Sequence, residues 1–186
     1  GATNALNTAV GYSAGQRVTT GVQNTIVGAL AGDHLTNASF NVAVGINALT
    51  ADTLGSSSTA LGDNALAAQN LTSASHSYNV AVGISAGLSV TTGQQNTIIG
   101  ARAGDALTDA DHNVAVGQQA LSSDTLGSRA VAIGQGALFT QNFTTATQHY
   151  NVAVGYEAGN KVTTGQQNTL IGGLAGDALT DADKNT

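Results

Sequence analysis

Asp105, Asp109, Asp111 and Asn113 contain a D-x-D-x-N order, and Asp177, Asp181, Asp183 and Asn185 repeat it 72 residues later. Carboxylates at alternate positions are how the first half of a helix-flanked calcium loop presents its oxygen ligands. The rest of such a site does not follow. Val114 stands where the sharp turn needs glycine, Ala120 where a bidentate glutamate would close the shell, and the first copy carries Asn37 and Ser39 in the acidic places. These residues read as solvated, turn-forming acids, and no metal or other cofactor is predicted.

The other chemistry-bearing side chains are scattered. His34, His76, His112 and His149 do not repeat: one period along, His34 becomes Ala106, His76 becomes Gln148 and His112 becomes Lys184. They read as surface substitutions. No G-x-S-x-G elbow and no recurring Ser, His and Asp set is present, so no catalytic group is assigned and the chain is not predicted to be an enzyme. Of seven aromatics, Tyr78, Phe139, Phe143 and Tyr150 lie on or beside the longest repeat units, with Leu71 in the place of Phe143 one period earlier. Aromatic tips on long loops bind sugars or a protein receptor, or pin the loop to the layer below. Both readings stay open at these four positions.

What must position such residues is a repeat. NVAVG occurs at 41 to 45, 79 to 83, 113 to 117 and 151 to 155, and the glycines closing it and its near-copies are separated by 17, 17, 17, 21, 17, 17, 17, 21 and 17 residues. Gly11, Gly83 and Gly155 are each 72 apart, so four kinds of unit alternate in fixed order. A short β-branched segment between Asn and Gly reads as a strand with turn signals at both ends. No 3.6-residue period is sustained. After each Gly come two variable residues and then Ala-Gly or Ala-Leu, as at Ala14-Gly15 and Ala48-Leu49, where a second, shorter strand fits. The remainder, rich in Thr, Ser, Asp, Asn and Gly, is the return loop. The chain is therefore predicted to be all-β, a parallel β-solenoid of 17/17/17/21-residue coils, one continuous segment over residues 1–186.

Composition narrows the function. Five Lys and Arg against eleven Asp and Glu leave no basic stripe for phosphates, so nucleic acid is not an expected partner. No apolar run approaches a spanning helix, and no membrane insertion is predicted for this segment. The absence of a starting Met and the end at Asn185-Thr186, the first two residues of a further unit, are read as marking a piece of a longer chain.

Alternation along the strand supplies a partner. Val42 and Val44 share one face and Ala43 takes the other. With the valines inside, the middle position would face outward, and it is apolar in every copy: Ala9, Ile26, Ala43, Ala60, Ala81, Ile98, Ala115, Ala132, Ala153 and Leu170. A lengthwise apolar face needs a covering, and the simplest is the same chain in a symmetric homotrimer. Thr8, Thr25, Thr59 and Thr97 share another strand position, but Val42 and Val80 interrupt it, so no ice-binding threonine rank forms.

The NxAVG segments followed by Ala-Leu or Ala-Gly resemble the head repeats of trimeric autotransporter adhesins, the YadA-like heads, and are similar to arrays in phage tail fibres. The resemblance runs through all ten NxAVG-like strands and departs in coil length, since 17 and 21 exceed the usual head repeat. It implies a left-handed β-roll with three chains side by side, the extra residues forming longer outer loops. It further implies an extracellular fibre or stalk on a virion or cell surface that holds a binding tip outward. The alternative it offers is an adhesin head whose loops bind a host glycan, a receptor or a matrix protein.

Overall fold

Each NxAVG segment does form a strand of three residues. In a computed structural model describing residues 4 to 186, Thr8–Val10, Thr25–Val27, Val42–Val44, Thr59–Leu61, Val80–Val82, Thr97–Ile99, Val114–Val116, Val131–Ile133, Val152–Val154 and Thr169–Ile171 stack in chain order as one ten-stranded parallel sheet. No helix occurs among the described residues. Register never slips: Ile26 pairs with Ala43, Ala43 with Ala60, Ala60 with Ala81. The protein is a β-solenoid of about ten turns.

The closing glycine is required by geometry. Gly45 has φ +134, and a Cβ built there would lie 2.5 Å from the backbone of Gly62 in the next coil. Neither the conformation nor the space admits a side chain. The same close approach repeats at every such glycine from Gly11 to Gly155, and Gly172, with no coil against it, keeps the same left-handed conformation at φ +125.

The inside and outside of the strand are the reverse of the expectation. The middle residue points into the coil: Ile26, Ala43, Ala60, Ala81, Ile98, Ala115, Ala132 and Ala153 are fully buried within a single chain. The flanking residues, Val42 and Val44 or Val114 and Val116, face outward and are partly or wholly exposed. The Ala-Leu and Ala-Gly pairs are not a second strand but a turn. There Leu49, Leu66 and Leu121 adopt left-handed φ of 54, 50 and 54. That conformation costs a bulky residue on the order of 1 kcal/mol. It is offset because each of these leucines is completely buried, which contributes about 1.5–3 kcal/mol. In these coils the large interior side chain thus comes from the turn and the strand supplies alanine opposite it, whereas Ile26, Ile98 and Leu170 enter the core from their strands.

The four-unit period is a period of core volume. Coils with Leu in the turn, at Leu66 and Leu121, carry Ala in the strand, at Ala60 and Ala115. The coil bearing Gly87 has neither large residue, and its neighbours fill it: a Cβ on Gly87 would meet Ile98 Cδ1 at 3.0 Å and Leu66 Cδ2 at 3.1 Å. Small coils receive the side chains of their neighbours.

The 21-residue coils divide their four extra residues unequally. Chain offset between neighbouring coils is 17 at Thr125 and Asn142, 20 at the pair Gly127 and Thr147, and 21 at Val131 and Val152. Three added residues, at 72 to 74 and 144 to 146, form an exposed loop. The fourth, Ser77 or His149, turns inward and is buried. The expected longer outer loop accounts for only part of the insertion.

Candidate functional site

Two features distinguish this solenoid from a bare scaffold: an apolar outer face and a polar cluster buried in each long coil. The outer face follows from strand alternation. Its third strand position is Val10, Val27, Val44, Leu61, Val82, Ile99, Val116, Ile133, Val154 and Ile171, an unbroken apolar rank. Tyr12, Ile46, Ile84 and Tyr156, just past the glycine, extend it on one side. Phe40, Tyr78 and Tyr150 extend it on the other. Tyr78 and Tyr150, 55% and 50% exposed, stand two residues before a strand and belong to this face, not to the tip of a long loop. His76 stacks on Tyr78 at 5.3 Å, and the Arg129 guanidinium lies 5.8 Å from the Tyr150 ring centre.

The remaining two aromatic candidates separate. Phe139 is half-buried beside the turn. Phe143 is only 5% exposed and lies flat on His149, ring centres 4.8 Å apart and 6° from parallel. Its ring is buried, not presented on the surface as an aromatic loop tip would be.

Inside, an asparagine ladder runs the length of the solenoid. Asn113 is typical: its Nδ2 donates to the Gly127 carbonyl at 2.9 Å and its Oδ1 accepts the Ala130 N–H at 2.8 Å. Asn24, Asn41, Asn79, Asn96, Asn151 and Asn168 do the same, so the amide closes its own coil and holds the next. Two rungs are missing, at Ser58 and Ala130, both where a long coil begins. Each gap is served by a buried cluster. In the first, Gln69 Nε2 donates to Asp52 Oδ2 at 2.5 Å and to Ser58 Oγ at 2.8 Å, and Ser58 and Ser77 share a hydrogen bond at 2.5 Å. In the second, Gln141 Nε2 donates to Asp124 Oδ2 at 2.6 Å and lies 3.0 Å from His149 Nε2.

His149 is therefore not a surface substitution, as the sequence suggested, but a wholly buried ring. Burial pushes its pKa down to about 4, and burial raises that of Asp124 against the hydrogen bonds it accepts from Phe143, Gln141 and Gly127. Neither Asp124 nor Gln141 stood out in the sequence. Their recurrence as Asp52 and Gln69 one period earlier was visible, but nothing in residue type alone distinguishes a buried acid from a loop acid.

The acidic positions are occupied with joining coils. Asp105 accepts from Ser122 Oγ, Asp109 from Thr92 Oγ1 and Asp111 from the Gln94 N–H, each at 2.7 Å. Asp183 accepts from Gln166 N–H at 2.7 Å, Asp181 from the neighbouring Thr180, and Asp177 is exposed. In the first copy Asn37 accepts from Thr20 and Ser39 from the Val22 N–H. At Asn37, Ser39, Asp109, Asp111 and Asp183 the place requires an acceptor for the preceding coil, which amide, hydroxyl and carboxylate all supply, whereas Asp105 serves the following coil. Among the described residues no three His, Asp or Glu side chains are arranged to hold a metal ion. A chelator is accordingly expected to leave the thermal unfolding midpoint unchanged; a drop that calcium reverses would assign these loops a metal.

No protein-family profile, curated sequence or solved structure matches the chain.

Proposed function

We propose that this chain is a shaft segment of an extracellular fibre in which three parallel copies pack in register through their outer strand faces. The shaft would hold a binding tip away from a virion or cell surface. The observation that carries the reading is the unbroken rank from Val10 to Ile171. Ten strands about 4.8 Å apart and some seven residues wide give a face of roughly 900 Å². That matches the roughly 800 Å² that each partner commits to a stable interface, with the apolar rank along its middle and Gln95, His112, Arg129, Gln118 and Gln135 among the residues at its edges. The covered face is thus the flanking positions of the strand, not the middle ones.

A shaft needs stiffness more than chemistry. Every coil templates the next through strand hydrogen bonds and the asparagine ladder, so bending requires breaking both. Multi-angle light scattering of the chain is expected to give three times the chain mass. A folded monomer at every concentration would overturn the assembly. Binding of host glycan or matrix protein by this segment alone, lost on changing Tyr78 and Tyr150 to Ser without loss of fold, would make it an adhesin head instead.

A further inference from the structure

Among the buried side chains of the two long coils three differ: Leu71, Ser58 and Ser77 in the first are Phe143, Ala130 and His149 in the second. The exchange brings the ring of His149, stacked on Phe143, to the glutamine Nε2 that the Ser58 hydroxyl meets in the first coil. It does not conserve hydrogen bonding. A serine hydroxyl rotates and both donates and accepts; an imidazole has fixed nitrogens.

The orientation of the surrounding amides is set by the ladder. Asn151 Oδ1 accepts the Asn168 N–H and its Nδ2 donates to the Gly165 carbonyl, which leaves its second Nδ2 hydrogen for Gln141 Oε1 at 2.8 Å. Gln141 must then turn its NH₂ toward Asp124 and His149. On the other side of the ring, the Asn151 backbone N–H points at His149 Nδ1 from 3.2 Å. Both ring nitrogens face donors. A neutral imidazole meets one of them with its lone pair; an imidazolium, with two N–H groups, meets neither. The one titratable group facing the ring is Asp124, whose Oδ2 is 3.8 Å from Nε2, beyond hydrogen-bonding distance and already taken by Gln141.

Release of the segment that carries the ring has identifiable bonds to break: the Leu126 N–H donates to the Phe143 carbonyl at 3.0 Å, and Thr147 and His149 donate to the Leu126 and Ser128 carbonyls at 3.4 and 3.3 Å, the last of these longer than the corresponding Ser77 to Ser56 bond at 2.9 Å. We propose that His149 is an acid-operated latch: protonation expels its ring from the coil and releases residues 143 to 149, while the matching segment of the first long coil, 71 to 77, stays closed.

The sign follows from linkage. A histidine whose pKa is lower in the closed state, about 4, than in the open state, near its ordinary 6.5, contributes closure fully above about pH 6.5 and loses it progressively as pH falls toward 4. Asp124, raised in the closed state, acts in the opposite direction and offsets part of the loss. For the ring alone the opening equilibrium shifts by about thirtyfold at pH 5 relative to neutral pH, an upper bound that Asp124 lowers.

The test is hydrogen exchange on the chain between pH 7.5 and 4.5, corrected for the intrinsic rate, with both segments read in the same sample. Protection at Phe143, Thr147 and His149 is expected to fall severalfold by pH 5, by at most about thirtyfold, while that of residues 71 to 77 holds. The combined variant Ala130→Ser, Phe143→Leu, His149→Ser rebuilds the first cluster and should abolish the difference. Should that variant not fold, an NMR titration of the unmodified His149 ring decides: an open-state shift appearing below pH 6 supports the latch. Equal protection of the two segments across the range, or a His149 ring that protonates without loss of protection, overturns it.

Discussion

Asn113→Leu is expected to cost about 2–5 kcal/mol of unfolding free energy, because it removes two buried hydrogen bonds and returns nothing to their partners. Leucine has the same branching and number of heavy atoms, but its methyls are bulkier, and crowding adds to the loss. The Ala130 N–H and the Gly127 carbonyl, both in buried residues, would be left without partners. Each such orphan costs about 1–3 kcal/mol. The control is Asn185→Leu on the final coil, half-exposed, whose Nδ2 reaches only Asn168 Oδ1 and the Asp183 carbonyl; about 0.5 kcal/mol is expected there. Chemical denaturation of the two variants makes the comparison. Equal losses would show that the ladder is no more than a surface ornament.

Neighbouring residues of one strand should respond oppositely to the same charge. Ala115→Asp places a carboxylate inside the coil, where no cation faces it, and is expected to cost more than about 4 kcal/mol or to prevent folding of the adjoining coils. Val116→Asp points outward and should change the stability of a single chain by no more than about 1 kcal/mol, while dispersing the proposed assembly. Circular dichroism and light scattering on both variants separate the effects. If Val116→Asp unfolds the chain and Ala115→Asp merely dissociates it, the assignment of the two faces is inverted.

That assignment is where the sequence misled. The spacing of NVAVG made the coils, their count and their parallel stacking legible, since a repeated strand bounded by Asn and Gly has few other uses. Alternation says which residues share a face; it does not say which face is inside. Val42 and Val44 are the larger pair and were expected in the core. In fact Leu49 and Leu66 fill it from turns in left-handed conformations that residue preference disfavours, leaving room only for Ala43 and Ala60 from the strand. The placement of the aromatic candidates was hidden for a related reason. Tyr78 and Tyr150 continue the outward alternation of the strand that follows them, whereas Phe143 lies against a histidine that is itself the inserted residue. An insertion that turns inward leaves no mark in sequence to separate it from one that loops out.

The alternation of large and small interiors also governs how such a chain can change length over generations. Removing residues 79 to 95 alone would bring Leu66 directly toward Ile98, two side chains that now meet only across the space Gly87 leaves. Removing residues 96 to 112 would instead take Ile98 away and leave that space partly empty. Unequal crossing between gene segments one coil apart would thus produce overfilled or hollow molecules. Crossing a full quartet apart restores the same neighbours on both sides of the joint. Lengths within a lineage would then differ in steps of four coils, about 19 Å at a time.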